Sequence, residues 1–290
     1  ILKKIILDIK KHIFRAYDIR GIYPNDLNEE TFLLIGQALG KRITENSTTP
    51  KVCVCIDGRV SGPTLKKSLI KGLTKMGVDV IDIGMLPTPL LYYSLQKLNI
   101  DNGLMITGSH NPANYNGIKM VINKKTLFDD HILDIYKSIL IDKFDDHTDE
   151  GEIISNNTIL EDYIKDIKDD IRIESKLRVC IDCGNGVTGA ITRKIFNSLN
   201  VNFEIIYEDV DGNFPNHPPD PTNEENLSDL KKSIIDNNAD FGFAYDGDGD
   251  RICVVTRDGK ILWPDQLLML DGMIKRRQMK HFKKGRREDL

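Results

Sequence analysis

The sequence predicts an α/β protein made of two similar domains, and three observations carry that reading. Short apolar runs alternate with segments of helical apolar spacing through most of the chain, the pattern of βαβ units. A segment around residue 54 recurs around residue 179 with the same succession of strand, aspartate-led turn and helix. The length, 290 residues, suits about two domains of ordinary size, each with its own core.

The elements follow in order. Phe14–Gly21 is a short mixed stretch before the turn at Tyr23-Pro24-Asn25. Arg15 and Arg20 in it are candidate phosphate contacts, because the guanidinium fork suits phosphate oxygens; a solvated loop would read the same way. Phe32, Ile35, Leu39 and Ile43 fall at helical spacing and predict a helix over 31–43. Lys51–Ile56 reads as a buried strand ending at Asp57-Gly58-Arg59. Pro63 opens a helix that Gly77 stops, Val78–Ile83 is a strand, and Thr88-Pro89 starts a helix through Leu98. Gly103–Ile106 is the next strand, residues 117–122 another, and residues 129–140 a helix. The acidic run Asp142–Glu152 reads as a linker, with a domain boundary near residue 150. The repeat then begins: Val54-Cys55-Ile56-Asp57-Gly58-Arg59 is echoed by Val179-Cys180-Ile181-Asp182-Cys183-Gly184, and each copy runs on into a helix and a further strand, Val201–Ile206 in the second.

Composition narrows the function classes. Apolar content of 40% and charged content of 29% describe a soluble globular protein. No apolar run approaches the roughly 18 residues of a membrane span, and Ile1–Lys11 lacks the pattern of a signal peptide, so a cytoplasmic protein is expected. The five cysteines lie in or beside Val/Ile-rich strand patterns and read as small buried residues, although Cys180-x-x-Cys183 has redox or zinc spacing. A net charge of −4 makes no case for nucleic acid, though Lys275–Arg287 holds eight lysines and arginines and no acid. Position 1 is Ile, and the tail loses apolar periodicity. The expectation is therefore a fragment, with a tail reflecting truncation or a shifted reading frame.

Chemistry concentrates in two loops. Thr107-Gly108-Ser109-His110-Asn111-Pro112 follows a strand, so Ser109 sits on a tight turn at the sheet edge where ligands of open α/β sheets bind. The hydrolase elbow G-x-S-x-G does not fit, since Thr107 and Asn111 flank it. His110 is the serine's own neighbour, which makes a direct Ser–His hydrogen bond awkward. The second loop follows the strand Phe241–Tyr245 and reads Asp246-Gly247-Asp248-Gly249-Asp250-Arg251. Three carboxylates at alternate positions repel one another unless a hard divalent cation resolves the repulsion. An EF-hand is excluded by Arg251 at its sixth position and Arg257 at its twelfth. A serine that carries phosphate, beside Mg²⁺ on Asp246, Asp248 and Asp250, joins the two loops in one site. Lys119, on the strand returning from the serine loop, could neutralise charge there or be a surface lysine.

At this point the sequence resembles the α-D-phosphohexomutase superfamily, in particular its bacterial phosphomannomutase/phosphoglucomutase members. The resemblance rests on FRAYDIRG at 14–21, DGR at 57–59, TPLLYY at 88–93, TGSHNPANYNGIKM at 107–120, GNFPNHPPDPTNEENL at 212–227 and DGDGDR at 246–251. It implies two three-layer α/β/α domains with mixed sheets over 1–150 and 151–257, and the truncated start of a third over 258–290. Ser109 would be the phosphoserine, and it would join Asp246, Asp248 and Asp250 as a ligand of one Mg²⁺. Arg20 and Lys119 would act on the transferring phosphoryl group, with His110 as an active-site contact, while Arg15, Tyr17 and Arg251 would bind substrate phosphate. The implied reaction moves phosphate between the 1- and 6-positions of a hexose phosphate through a hexose 1,6-bisphosphate. The family loop FPNHHPDP is altered here at Pro218, which follows His217. A chain that stops inside the third domain lacks loops that position the sugar, so little mutase activity is expected of it alone. Two rivals remain: an aspartyl-phosphate phosphatase with Asp246 as nucleophile, which Ser109→Ala would leave phosphorylatable, and a non-catalytic protein that binds sugar phosphate.

Overall fold

The apolar runs become the inner strands of two mixed sheets. The computed structural model describes residues 9–142, 144, 149–199 and 201–270. The first sheet contains β1 (Ile19–Ile22), β2 (Lys51–Ile56), β3 (Asp79–Met85), β4 (Gly103–Ile106), β5 (Tyr115–Ile122), β6 (Lys125–Thr126) and β7 (Ile153–Ser155). Its order is β1-β5-β4-β2-β3-β7, with β6 paired to β5. The β4-β2-β3-β7 pairings are parallel, and β5 runs antiparallel to both β4 and β1. Helices α1 (Glu29–Thr44), α2 (Gly62–Lys75), α3 (Thr88–Lys97) and α4 (Asp130–Ile141) cover it. Asn28 caps α1 by accepting the Thr31 amide at 2.9 Å, and prolines stand in the first turns of α2 and α3, where no amide donor is needed.

Alternation in the buried strands separates two cores. Val52, Val54 and Ile56 of β2, with Leu104 and Ile106 of β4, pack with Phe32, Leu39 and Leu69 from α1 and α2. Cys53, Cys55 and Met105 point the other way, onto Leu90 and Leu91 of α3. That second core also takes Ile159 of α5 (Ile159–Asp170) and Ile191 of α6 (Gly189–Ser198), so apolar packing runs on from the first sheet into the second domain.

The second sheet contains β8 (Arg178–Asp182), β9 (Asn202–Ile206), β10 (Phe241–Tyr245), β11 (Ile252–Thr256) and β12 (Ile261–Leu262), in the order β12-β11-β10-β8-β9. Helix α7 (Ser228–Asp236) packs Leu230 and Ile234 on one face, and Phe196 of α6 lies on the other. The sequence repeat is a repeat of topology: β11-β10-β8-β9 has the order and strand directions of β5-β4-β2-β3. The five cysteines are buried and unpaired. Cys180 and Cys183 belong to opposite faces of the sheet, and burial pushes the Cys183 thiol up to about 12, so the C-x-x-C spacing is no redox pair.

Two stretches differ from expectation. Residues 19–22 are not a solvated loop but the edge strand paired antiparallel to β5, with Arg20 buried (3% exposed). Just beyond the acidic run, β7 adds an edge strand to β3, with the Glu152 amide donating to Asp79 Oδ1 at 3.0 Å. The basic run Lys275–Arg287 lies outside the described residues. No helix among the described residues is long and apolar enough to cross a membrane.

Candidate active site

The serine loop leaves the C-terminal end of β4, and the carboxylate loop leaves the C-terminal end of β10. The structure brings them into contact. Ser109 Oγ donates to Asp246 Oδ2 at 2.7 Å, across 137 residues of sequence. Ser109 is held with φ of 49°, in the left-handed region that a non-glycine residue enters only where surroundings demand it. Its amide donates to Thr107 Oγ1 at 2.7 Å, and the Thr107 hydroxyl donates in turn to Asp57 Oδ2 at 2.7 Å. A Cβ on Gly247 would stand 2.6 Å from the carbonyl oxygen of Ser109, so glycine is what lets the two loops approach this closely.

Asp246, Asp248 and Asp250 each offer a carboxylate oxygen, and these oxygens lie within 4.8 Å of one another. The loop curls because Asp246 Oδ1 accepts the amides of Asp250 and Arg251 at 3.0 and 3.1 Å. Thr88 Oγ1 donates to Asp248 Oδ2 at 2.5 Å, and Lys119 Nζ bridges Asp248 Oδ2 at 2.6 Å and Asp250 Oδ2 at 2.5 Å. Burial and the two neighbouring carboxylates raise the Asp246 pKa well above the usual range. Burial pulls the same way on Asp248, but the Lys119 ammonium outweighs it and holds that carboxyl below its ordinary value. Burial lowers and the carboxylates raise Lys119, whose net shift is upward, so it stays charged. Asp248 Oδ1 is buried and has no hydrogen-bond partner among the described residues. An orphaned carboxylate oxygen within a cluster of acids is the donor set a hard, oxygen-preferring cation takes, so the residues present fit Mg²⁺.

The other expected residues divide into two groups. Arg20 joins the serine loop: Nη1 donates to Asn111 Oδ1 at 3.0 Å and Nη2 to Asp18 Oδ2 at 2.5 Å, leaving a buried Nε–H without a partner among the described residues. His110 Nδ1 stands 3.4 Å from Ser109 Oγ, so the neighbouring pair does reach one another, at long range. Burial and the positive charge of Arg251 lower the His110 pKa and favour the neutral ring. Arg251 is exposed at the loop's end. Arg15 and Tyr17 are exposed, Tyr17 at 76%, and no hydrogen bond or ion pair of their side chains ties them to this cluster. Sequence reasoning did not single out Asp57, Arg59, Thr88 or Thr107 as site residues. Asp57 and Arg59 carried a signal all the same, since they stand in the repeated turn.

Models of the phosphoglucomutase/phosphomannomutase α/β/α domains I and II match residues 11–145 and 161–259. The chain belongs to the phosphoglucomutase/phosphomannomutase family. It is 46% identical over 259 residues to a phosphomannomutase/phosphoglucomutase of Pseudomonas syringae, covering 89% of this chain and 55% of the relative. It is 40% identical over 262 residues to a phosphoglucomutase of Neisseria meningitidis, covering 90% and 56%. The fold superposes on the crystal structure of a phosphoglucomutase/phosphomannomutase family protein from Burkholderia thailandensis with a TM-score of 0.87 at 39% identity, over 93% of this chain and 60% of that one. The chain thus spans about half the length of the curated phosphohexomutase relatives it matches.

Proposed function

We propose that Ser109 is a phosphoserine that exchanges its phosphoryl group with a hexose phosphate, in the manner of a phosphomannomutase/phosphoglucomutase. The observation that carries this reading is the 2.7 Å contact between the Ser109 hydroxyl and Asp246, which sets the serine against the carboxylate cluster. In the forward half, a sugar hydroxyl attacks phosphorus, the bond to Ser109 Oγ breaks, and the product is a hexose 1,6-bisphosphate. In the return half, the bisphosphate reorients and gives its other phosphoryl group back to Ser109, so the cycle interconverts 1- and 6-phosphates. Asp246, Asp248 and Asp250 would hold Mg²⁺, with the serine's phosphate as a further ligand. The ion, when bound, neutralises charge on the transferring group.

The protein's own groups share that work. Lys119 stays protonated and serves as a fixed positive charge. The unpartnered Nε–H of Arg20 is a donor for a phosphoryl oxygen, and Arg251 adds charge at the rim. His110, held neutral, can take the proton of the hydroxyl that attacks or return it to the one that leaves. Arg15 and Tyr17, exposed on the segment before β1, would meet the far end of the sugar phosphate.

Because the chain spans 55% of its relative, phosphate uptake at Ser109 is a better readout than complete mutase turnover. The test is intact-protein mass after incubation with glucose 1,6-bisphosphate and Mg²⁺. One phosphoryl group is expected on the native chain and none on Ser109→Ala. Phosphate that survives the substitution would place the covalent intermediate on an aspartate and sink the serine reading. No uptake by either protein would favour a sugar-phosphate-binding role.

A further inference from the structure

Arg59 is among the largest fully buried side chains in the described protein, and all five of its N–H donors are engaged. Nε donates to Asp57 Oδ2 at 3.1 Å. The other four go to backbone carbonyls around Ser109: Nη2 to Ser109 at 2.8 Å and Asn111 at 2.6 Å, Nη1 to Pro112 at 2.5 Å and Tyr115 at 2.9 Å. Asp57, in addition to balancing that charge, accepts the Gly108 amide at 3.1 Å and the Thr107 hydroxyl. The guanidinium lies so close to the loop that a Cβ on Gly108 would stand 2.2 Å from Arg59 Cζ. The Phe214 ring, from the 211–220 loop of the second domain, sits 5.1 Å from the same carbon.

We infer that Arg59 is a positioning residue: its planar fork is the template on which the serine loop is shaped, and it holds Ser109 Oγ toward the carboxylates. This rests on the phosphoserine reading above. A charge buried this deeply is costly unless every donor is satisfied, and an apolar residue of similar size would fill the space more cheaply. What the guanidinium adds is direction. Four carbonyls separated by as many as six residues of chain are fixed to one plane, and the left-handed backbone of Ser109 is held against its intrinsic preference. Lysine offers three donors and no fork, so it cannot reproduce the arrangement.

The test compares the native chain, Arg59→Lys and Arg59→Ala for the rate of phosphoryl uptake at Ser109 from glucose 1,6-bisphosphate, alongside amide hydrogen exchange. Both variants are expected to take up phosphate about a hundredfold more slowly, the loss typical of a reacting atom displaced by roughly an ångström. Methylguanidinium is expected to restore part of the rate in Arg59→Ala, and methylammonium at the same concentration is not. In Arg59→Lys, faster exchange is expected only for amides of 107–116. Uptake by Arg59→Lys within a few-fold of native, or exchange that rises throughout both sheets, overturns the inference. A native chain that takes up no phosphate, with faster exchange still confined to the loop, rejects the phosphoserine reading and keeps Arg59 as the organiser of the loop.

Discussion

Lys119→Met removes the ammonium that bridges two of the three carboxylates while keeping an unbranched apolar stem. The side chain is 16% exposed, and its partner Asp248 is fully buried. Breaking a buried pair from one side costs about 3–5 kcal/mol, because the remaining charge is left uncompensated. The low end applies here, since Thr88 still donates to Asp248 and Asp250 keeps partial access to solvent. A loss of about 3 kcal/mol lowers the melting temperature by about 6–12 °C in a protein of this size. Mg²⁺, bound as proposed above, is expected to reverse much of that. At about a hundred times its dissociation constant, a bound ion stabilises the native chain by about 2.7 kcal/mol, and it stabilises the variant by more, because no ammonium competes for the carboxylates. The gap between the two proteins, measured by thermal denaturation with EDTA and again with Mg²⁺, is therefore expected to shrink to about half or less when metal is present. An equal gap under both conditions would refute the argument, since Lys119 would then stabilise the chain for reasons unconnected with charge in the cluster.

Thr88→Val removes the hydroxyl that orients Asp248 and is expected to weaken Mg²⁺ binding about 10- to 100-fold by calorimetric titration, with secondary structure unchanged by circular dichroism. Gly247→Ala puts a methyl 2.6 Å from the Ser109 carbonyl oxygen; phosphate uptake at Ser109 should fall about a hundredfold in the mass assay while each domain stays folded. His217 should make stability depend on pH. Burial lowers its pKa, but Asp182, 3.1 Å from Nε2, and the Pro218 carbonyl outweigh burial and lift it above the ordinary 6.5. A raised value in the folded state means that the contribution is fully present below about pH 6.5 and lost as pH rises through the folded value. His110, shifted downward, acts in the opposite sense, so the informative quantity is the melting-temperature difference between native and His217→Gln. It should shrink from about pH 5 to about pH 9.

Central strands were legible in the sequence because they are covered on both faces and read as unbroken apolar runs: 51–56, 103–106 and 241–245 appear where they were expected. Strand β1 was not, because its identity comes from pairing with β5 and its second residue is a buried arginine that breaks the apolar pattern. Strand β7 is three exposed residues supported by pairing with β3, which no local signal announces. The carboxylate loop was readable as a candidate cation site from its own repulsion, but its contact with Ser109 is a tertiary fact. Arg59 was harder still: four of its five bonds end on backbone carbonyls, and carbonyl positions are set by the fold rather than by residue type.

The duplication explains where the site lies. β4 and β10 hold the same place in the two sheets, each next to the first strand of the repeated unit on one side and to an antiparallel return strand on the other. Ser109 and the three aspartates therefore sit on equivalent loops of two copies of one unit, brought face to face. The turn that precedes them kept its aspartate in both copies and changed its partner. Both accept the amide two residues on, Arg59 at 3.0 Å and Gly184 at 2.8 Å, but Asp57 also binds the Arg59 side chain and the serine loop, whereas Asp182 binds His217 of the 211–220 loop. That second loop delivers Phe214 to Arg59 and lines, with His110 and Pro112, a cavity of about 280 Å³ beside the serine. The two aspartates thus hold opposite walls of one crevice. On the function proposed above, one copy would carry the phosphate and the other would hold the cation, so the divergence that hid the equivalence of the two loops in the sequence is the divergence that would make them complementary.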